Sequence, residues 1–93
     1  MISSNEYFEG NVKSLGYQTE KGNSTLGVME VGEYEFGTSQ HETMTVIEGE
    51  MTVKLPESSD WQVYSQGSSY QIEANKSFQV KVSTQTSYLC QYK

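Results

Sequence analysis

The sequence predicts an all-β fold with antiparallel strands. Apolar residues alternate with period two in short segments, Gly, Asn, Ser and Asp punctuate those segments, and no stretch sustains a helical period. Strands are expected at 11–18, 24–31, 33–38, 42–48, 51–55, 61–64, 70–73, 78–83 and 87–92. Residues 20–23 (EKGN) turn between the first two, Glu48-Gly49-Glu50 is a tight reversal, and residues 56–60 (PESSD) form a polar loop. The only proline, Pro56, stands at a strand end, where its missing N–H breaks no ladder. So many strands in 93 residues leave no room for crossover helices, so one domain over 1–93, a sandwich or barrel, is expected.

Alternation assigns the faces. Tyr34, Phe36 and Thr38 share one face, with Glu33 and Glu35 opposite. Phe78, Val80 and Val82 point in while Gln79 and Lys81 point out, and Met51, Val53 and Leu55 turn away from Thr52 and Lys54. Tyr88, Cys90 and Tyr92 form one face of the last strand, and Trp61, with Val63 in phase, reads as core. Two positions look wrong for a plain core: Glu42, in register with Met44 and Val46, and Lys13, in register with Leu15 and Tyr17. A buried carboxylate or ammonium without a partner is expensive, so both draw attention as functional candidates.

Composition narrows the classes. Ala, Val, Ile, Leu, Met, Phe, Trp, Cys and Gly make 33 of 93 residues, below the roughly 45–50% usual for soluble domains. A chain this short buries only about 60–65% of its unfolded surface. It is therefore expected to close a small barrel or to finish its core against a second copy. Net charge is −6, and all six basic residues are lysines. There is no basic stripe for nucleic acid and no polybasic membrane anchor, so neither is an expected partner. Without arginine, an anion must be held by lysine, hydroxyls or backbone amides. Cys90 is alone, excluding an internal disulfide and any cysteine-based metal site, and reads as a packed thiol. Residues 1–6 (MISSNE) carry neither a basic region nor an apolar run of the secretory kind, so a cytoplasmic location is expected.

Residues 32–49 (GEYEFGTSQHETMTVIEG) resemble the first cupin motif, with Glu42 and Gly49 at the spacing of its glutamate and closing glycine. Gly67, Glu73, Asn75 and Phe78 fall at the opening glycine, proline, second glycine and histidine places of the second. The resemblance implies a cupin-type jelly-roll barrel. The His-x-His places fall on Glu35/Phe36 or Gly37/Thr38, and the last histidine is Phe78, so only Glu42 remains of four ligands. A divalent transition metal needs three or four suitable ligands, so no metal is expected.

The likeness then extends along the chain. SNEYF at 4–8, VKS at 12–14, GVM at 27–29, GEY at 32–34, ETMTV at 42–46, LP at 55–56, DWQVY at 60–64 and TSYLC at 86–90 resemble the pyrimidine/purine nucleoside phosphorylases, small cupin-like proteins. Members of that family often carry Pro-Gly where this chain has Glu73-Ala74, a change confined to one turn. The resemblance implies reversible phosphorolysis, in which nucleoside and inorganic phosphate give free base and ribose 1-phosphate with broad base tolerance. With the metal ligands missing, the reaction is expected to be metal-independent, with no cofactor beyond phosphate as co-substrate. It also implies a homodimer, with Tyr7 on an N-terminal strand packing across to the partner.

That chemistry needs charge or hydrogen bonds for an oxocarbenium-like ribosyl carbon, phosphate held opposite the base, and support for the leaving base. Glu42 is the candidate for the ribose; its plainer reading is a carboxylate satisfied by backbone or a neighbouring tyrosine. Phe36, Phe78 and Tyr88 are candidates for stacking on the base, and core filling is the plainer reading of each. Phosphate has three candidate anchors: Thr38 with Ser39, the amides of residues 38–41, and Lys13. His41 is a candidate proton donor to the base, and Tyr34 and Tyr92 are candidate hydrogen-bond donors to sugar or base. The eroded metal motif alone fits a second function, a non-catalytic cupin binding a small ligand as a sensor or accessory subunit. A residual metal enzyme using Glu42 and His41 is the least favoured.

Overall fold

A computed structural model describes residues 1–93. Its strands are β1 (Ser3–Tyr7), β2 (Val12–Thr19), β3 (Gly22–Met29), β4 (Gly32–Gly37), β5 (Glu42–Glu48), β6 (Glu50–Lys54), β7 (Trp61–Ser65), β8 (Ser69–Ile72), β9 (Ser77–Val82) and β10 (Thr86–Tyr92). A single 3₁₀ turn, Phe8–Gly10, joins β1 to β2. Each expected strand forms within two residues of its predicted bounds. β1 is additional: SSNEY offers a single apolar side chain, too little for an alternation signal, and forms by pairing along β2 from Ser3↔Gly16 to Tyr7↔Val12.

All pairings are antiparallel. The larger sheet has the order β1-β2-β3-β10-β5-β8 and the smaller β4-β9-β6-β7. They face one another without closing into one hydrogen-bonded cylinder, so the jelly roll is an open two-sheet sandwich. Gly49 turns β5 into β6 at φ +102°, and a Cβ there would lie 2.5 Å from Thr86 Oγ1, so only glycine fits the reversal. Asn75, in a glycine place of the second cupin-like motif, takes φ +62°, a left-handed conformation that asparagine tolerates.

The core lies between the inner faces. Met51, Val53, Phe78, Val80 and Val82 come from the smaller sheet; Val12, Met29, Met44, Val46 and Ile72 come from the larger. Each such side chain stabilises the fold by about 1.5–3 kcal/mol on burial.

Two strand phases run opposite to expectation. In β2, Val12 and Ser14 are buried while Lys13 and Leu15 are exposed. Lys13 therefore does not enter the interior; it stays in water, 3.4 Å from the Glu6 carboxylate, with both side chains about two-thirds exposed. The apolar Leu15 and Tyr17 suggested the reverse phase, yet Leu15 packs outside, opposite Leu26, which in turn sits opposite Leu89. In β7, Trp61 and Val63 face outward, correcting their assignment to the core: Val63 is 61% exposed, and Trp61 is half-buried beneath the Lys81 ammonium, 4.0 Å from its ring. Tyr64 turns inward instead, its ring 4.6 Å from that of Tyr70.

Candidate active site

A cavity of about 430 Å³ opens between the sheets on the side where β2 and β3 face β4. The strand registers explain its contents. Glu42 lies opposite Tyr92 and Met44 opposite Cys90; Cys90 in turn lies opposite Thr25, and Tyr88 opposite Gly27. A period of two puts the side chains of Ser14, Thr25, Met29, Glu42, Tyr88 and Cys90 on one floor. Across the gap, Phe36 and Phe78 are register partners, and their rings stack at 5.5 Å and 29°. They form one continuous aromatic wall of the smaller sheet, facing Tyr88 on the larger.

Gly27 sets the place of Tyr88. The hydroxyl end of the phenol occupies the space beside Gly27 that any Cβ would need. The Tyr88 hydroxyl titrates high, pushed up to about 12 chiefly by burial, with the Ser14 hydroxyl pulling the other way. It is therefore neutral and a donor at ordinary pH.

Glu42 is half-buried, and the Cys90 thiol donates to its Oε1 over 3.5 Å. Burial raises the Glu42 pKa; the Cys90 bond and the neighbouring His41 charge oppose that rise. Cys90 is itself buried and pushed up to about 12, first by desolvation and then by Glu42, which fits the packed, unreactive thiol expected. The Tyr92 hydroxyl lies 3.3 Å from Thr25 Oγ1 at the rim, and burial raises its pKa as well.

Of the residues singled out from the sequence, Phe36, Glu42, Phe78, Tyr88 and Tyr92 come together around this cavity. The others lie elsewhere. Tyr34 is buried beside Phe36, its hydroxyl donating to the Glu30 carbonyl at 2.6 Å. Thr38 is buried and fastens the β8–β9 turn: its hydroxyl donates to Glu73 O at 2.7 Å and accepts from Lys76 N at 3.0 Å. Ser39 is exposed. His41 Nε2 stands 3.0 Å from Gln71 Oε1, and its Nδ1 is buried without a partner, outside the cavity lining.

Ser14, Thr25, Tyr7 and Phe8 line the cavity without having been legible as site residues. The inverted phase of β2 hid Ser14. Thr25 lies in GNSTLGVM, a strand of weak polar contrast, and β1 gave no strand signal at all. Glu42 is the carboxylate on the cavity floor; Glu35 borders the cavity from an exposed position in β4, and no lysine or histidine lines it. No three His, Cys, Asp or Glu side chains converge anywhere in the chain. The residues present do not fit the metal centre that the cupin motif houses when complete.

Comparison with known proteins decides the family. A family model for pyrimidine/purine nucleoside phosphorylase matches residues 2–92. The chain belongs to that family. A pyrimidine/purine nucleoside phosphorylase of Pseudomonas syringae pv. tomato is 54% identical over 93 residues, covering all of both chains. A solved structure from Vibrio parahaemolyticus, described as of unknown function, superposes with TM-score 0.96 at 45% identity, covering 100% of this chain and 99% of that one. An RmlC-like cupin from Shewanella frigidimarina superposes with TM-score 0.72 at 16% identity over 95% of this chain and 79% of its own, which establishes the cupin fold. Within the nucleoside phosphorylase family, then, the cavity described above is the candidate for the family's chemistry.

Proposed function

We propose that the chain catalyses reversible, metal-independent phosphorolysis of purine and pyrimidine nucleosides to free base and ribose 1-phosphate. One observation carries the reading: a half-buried carboxylate, Glu42, faces an aromatic wall across a cavity of nucleoside size in a member of this family.

The base slots between the Phe36/Phe78 wall and Tyr88, a contact open to purines and pyrimidines alike because every base offers a π-face. Glu42 holds the ribose hydroxyls and, when ionised, stabilises positive charge growing on C1′. As the C1′–N bond breaks, its electron pair leaves with the base, and a hydrogen phosphate oxygen bonds to C1′ from the opposite face. The proton given up by hydrogen phosphate ends on the base, so the protein supplies no net acid. With no cation in the lining, phosphate is held by neutral donors, for which the Ser14, Thr25, Tyr88 and Tyr92 hydroxyls are the available set.

That absence of a cation also favours a second reading, a non-catalytic cupin that binds a neutral ligand. Incubation with uridine or adenosine, with and without phosphate, separates the two. Phosphate-dependent release of base with stoichiometric ribose 1-phosphate supports the phosphorylase; no base release overturns it and leaves the binding protein.

The homodimer belongs to the same proposal. Leu15, Leu26, Val28 and Ile47 are about half exposed on the outer face of the larger sheet, where a second copy would cover them. A sedimentation mass of one chain at micromolar concentration contradicts it. No helix is long and apolar enough to cross a membrane, and the proposed site of action is the cytoplasm.

A further inference from the structure

We infer that Phe8 determines which nucleophile reaches the ribosyl carbon, by closing the cavity mouth against water. The inference rests on the phosphorolysis reading and goes beyond it, since nothing in that reaction's requirements names residues 7–10.

Phe8, Glu9 and Gly10 take φ of +53°, +61° and +89° in succession. A bulky aromatic residue with positive φ is a genuine outlier, and such strain gathers at ligand clamps. No side chain caps the turn; its internal bond is Asn11 N–H to Phe8 O, at 3.1 Å. Burial does not explain the conformation either, because Phe8 remains 42% exposed and Tyr7 49%. What the turn achieves is placement. It lays the Phe8 ring against Tyr34 at 5.0 Å and edge-on to Phe36 at 5.5 Å. Both Tyr7 and Phe8 line the cavity while half exposed, so they form its rim. A nucleoside stacked on the Phe36/Phe78 wall lies beneath the Phe8 ring.

The chemistry gives that placement a purpose. An oxocarbenium-like carbon accepts water as readily as phosphate, and water is far more abundant. Attack by water forms the C1′–O bond, breaks C1′–N and sends a water proton to the base, yielding ribose in place of ribose 1-phosphate. A site whose floor holds phosphate by neutral hydroxyls alone cannot outcompete water by charge. Excluding water at the mouth is the remaining route.

The partition ratio, ribose over ribose 1-phosphate, reads this directly and is insensitive to the amount of folded enzyme. With uridine and fixed phosphate, wild type is expected to give almost no ribose. Phe8→Ala should raise the ratio at least five-fold, and Phe8→Leu, which keeps the contact with Tyr34 and Phe36, should fall between. The Leu variant decides the matter if the Ala variant does not fold. An unchanged ratio in the folded variants, even with slower turnover, overturns the role of Phe8 and leaves the phosphorylase intact. Wild type that makes no ribose 1-phosphate overturns both.

Discussion

The interior of the sandwich has two unlike halves. Beneath β5, β6, β8 and β9, Val46, Met51, Val53, Ile72 and Val80 are all at most 1% exposed. The polar group there, the Tyr70 hydroxyl, settles on the Met51 sulfur at 3.5 Å. On the side where β2 and β3 face β4, the same two sheets enclose Ser14, Thr25, Glu42 and Tyr92 around an open space. Strand pairing runs through both halves, with one register shift at Ser87/Tyr88 where β10 pairs with β5. The hollow is made by side chains, so the two halves separate stability from function by position.

The largest expected effect breaks the packed half. Met51→Ala removes a fully buried side chain and should cost about 2–5 kcal/mol of unfolding free energy. Chemical denaturation checks it, and a loss under 1 kcal/mol would place the structural core elsewhere. Gly27→Ala tests the boundary between the halves. The new Cβ drives the Tyr88 ring into the cavity, costing roughly 1–3 kcal/mol through overpacking and weakening nucleoside binding, seen as a raised KM for uridine.

Glu42 tests the hollow half through pH. Its pKa is raised in the fold, so the fold favours the protonated form. The stability it contributes is present below the ordinary carboxylate pKa and is lost as pH rises through the raised value. Glu42→Gln should therefore melt no lower than wild type at pH 7, with little of the wild type's change in melting temperature over the acidic range. Activity runs the other way: the acid limb of kcat/KM in wild type should lie above the ordinary carboxylate pKa, because the ionised form works. A variant that melts markedly lower at neutral pH contradicts this. The smallest effect is expected outside both halves. Lys13→Ala removes only an exposed pair with Glu6 and should leave the KM for phosphate within about two-fold and stability unchanged.

The same contrast explains what was legible in the sequence. Where one face is strongly apolar, as in β4, β6, β9 and β10, alternation gave both strand and phase, and it put Glu42 correctly in line with Met44 and Val46. Phase was lost where apolar residues lie outside. Leu15 and Trp61 occupy outer faces, and each pulled its strand's assigned phase over by one residue, which exchanges every side chain between faces. The wall and the carboxylate of the site were readable because they interrupt or continue a core pattern. The rim was not, because Tyr7 and Phe8 owe their position to a left-handed turn and to pairing with the next strand, β2, whose phase was itself misassigned. Phosphate anchors were sought at Thr38 on residue type alone, and its hydroxyl is committed to Glu73 and Lys76 backbone.

The central claim is that Glu42 acts on the ribose in a cavity walled by Phe36, Phe78 and Tyr88. The most direct test is the rate of ribose 1-phosphate formation from uridine and phosphate by Glu42→Gln, at a pH where its melting temperature matches wild type. A loss of at least ten-fold, about 1.4 kcal/mol of transition-state stabilisation, is the expected result. A rate near that of wild type would show that the carboxylate is structural and that the chemistry lies elsewhere.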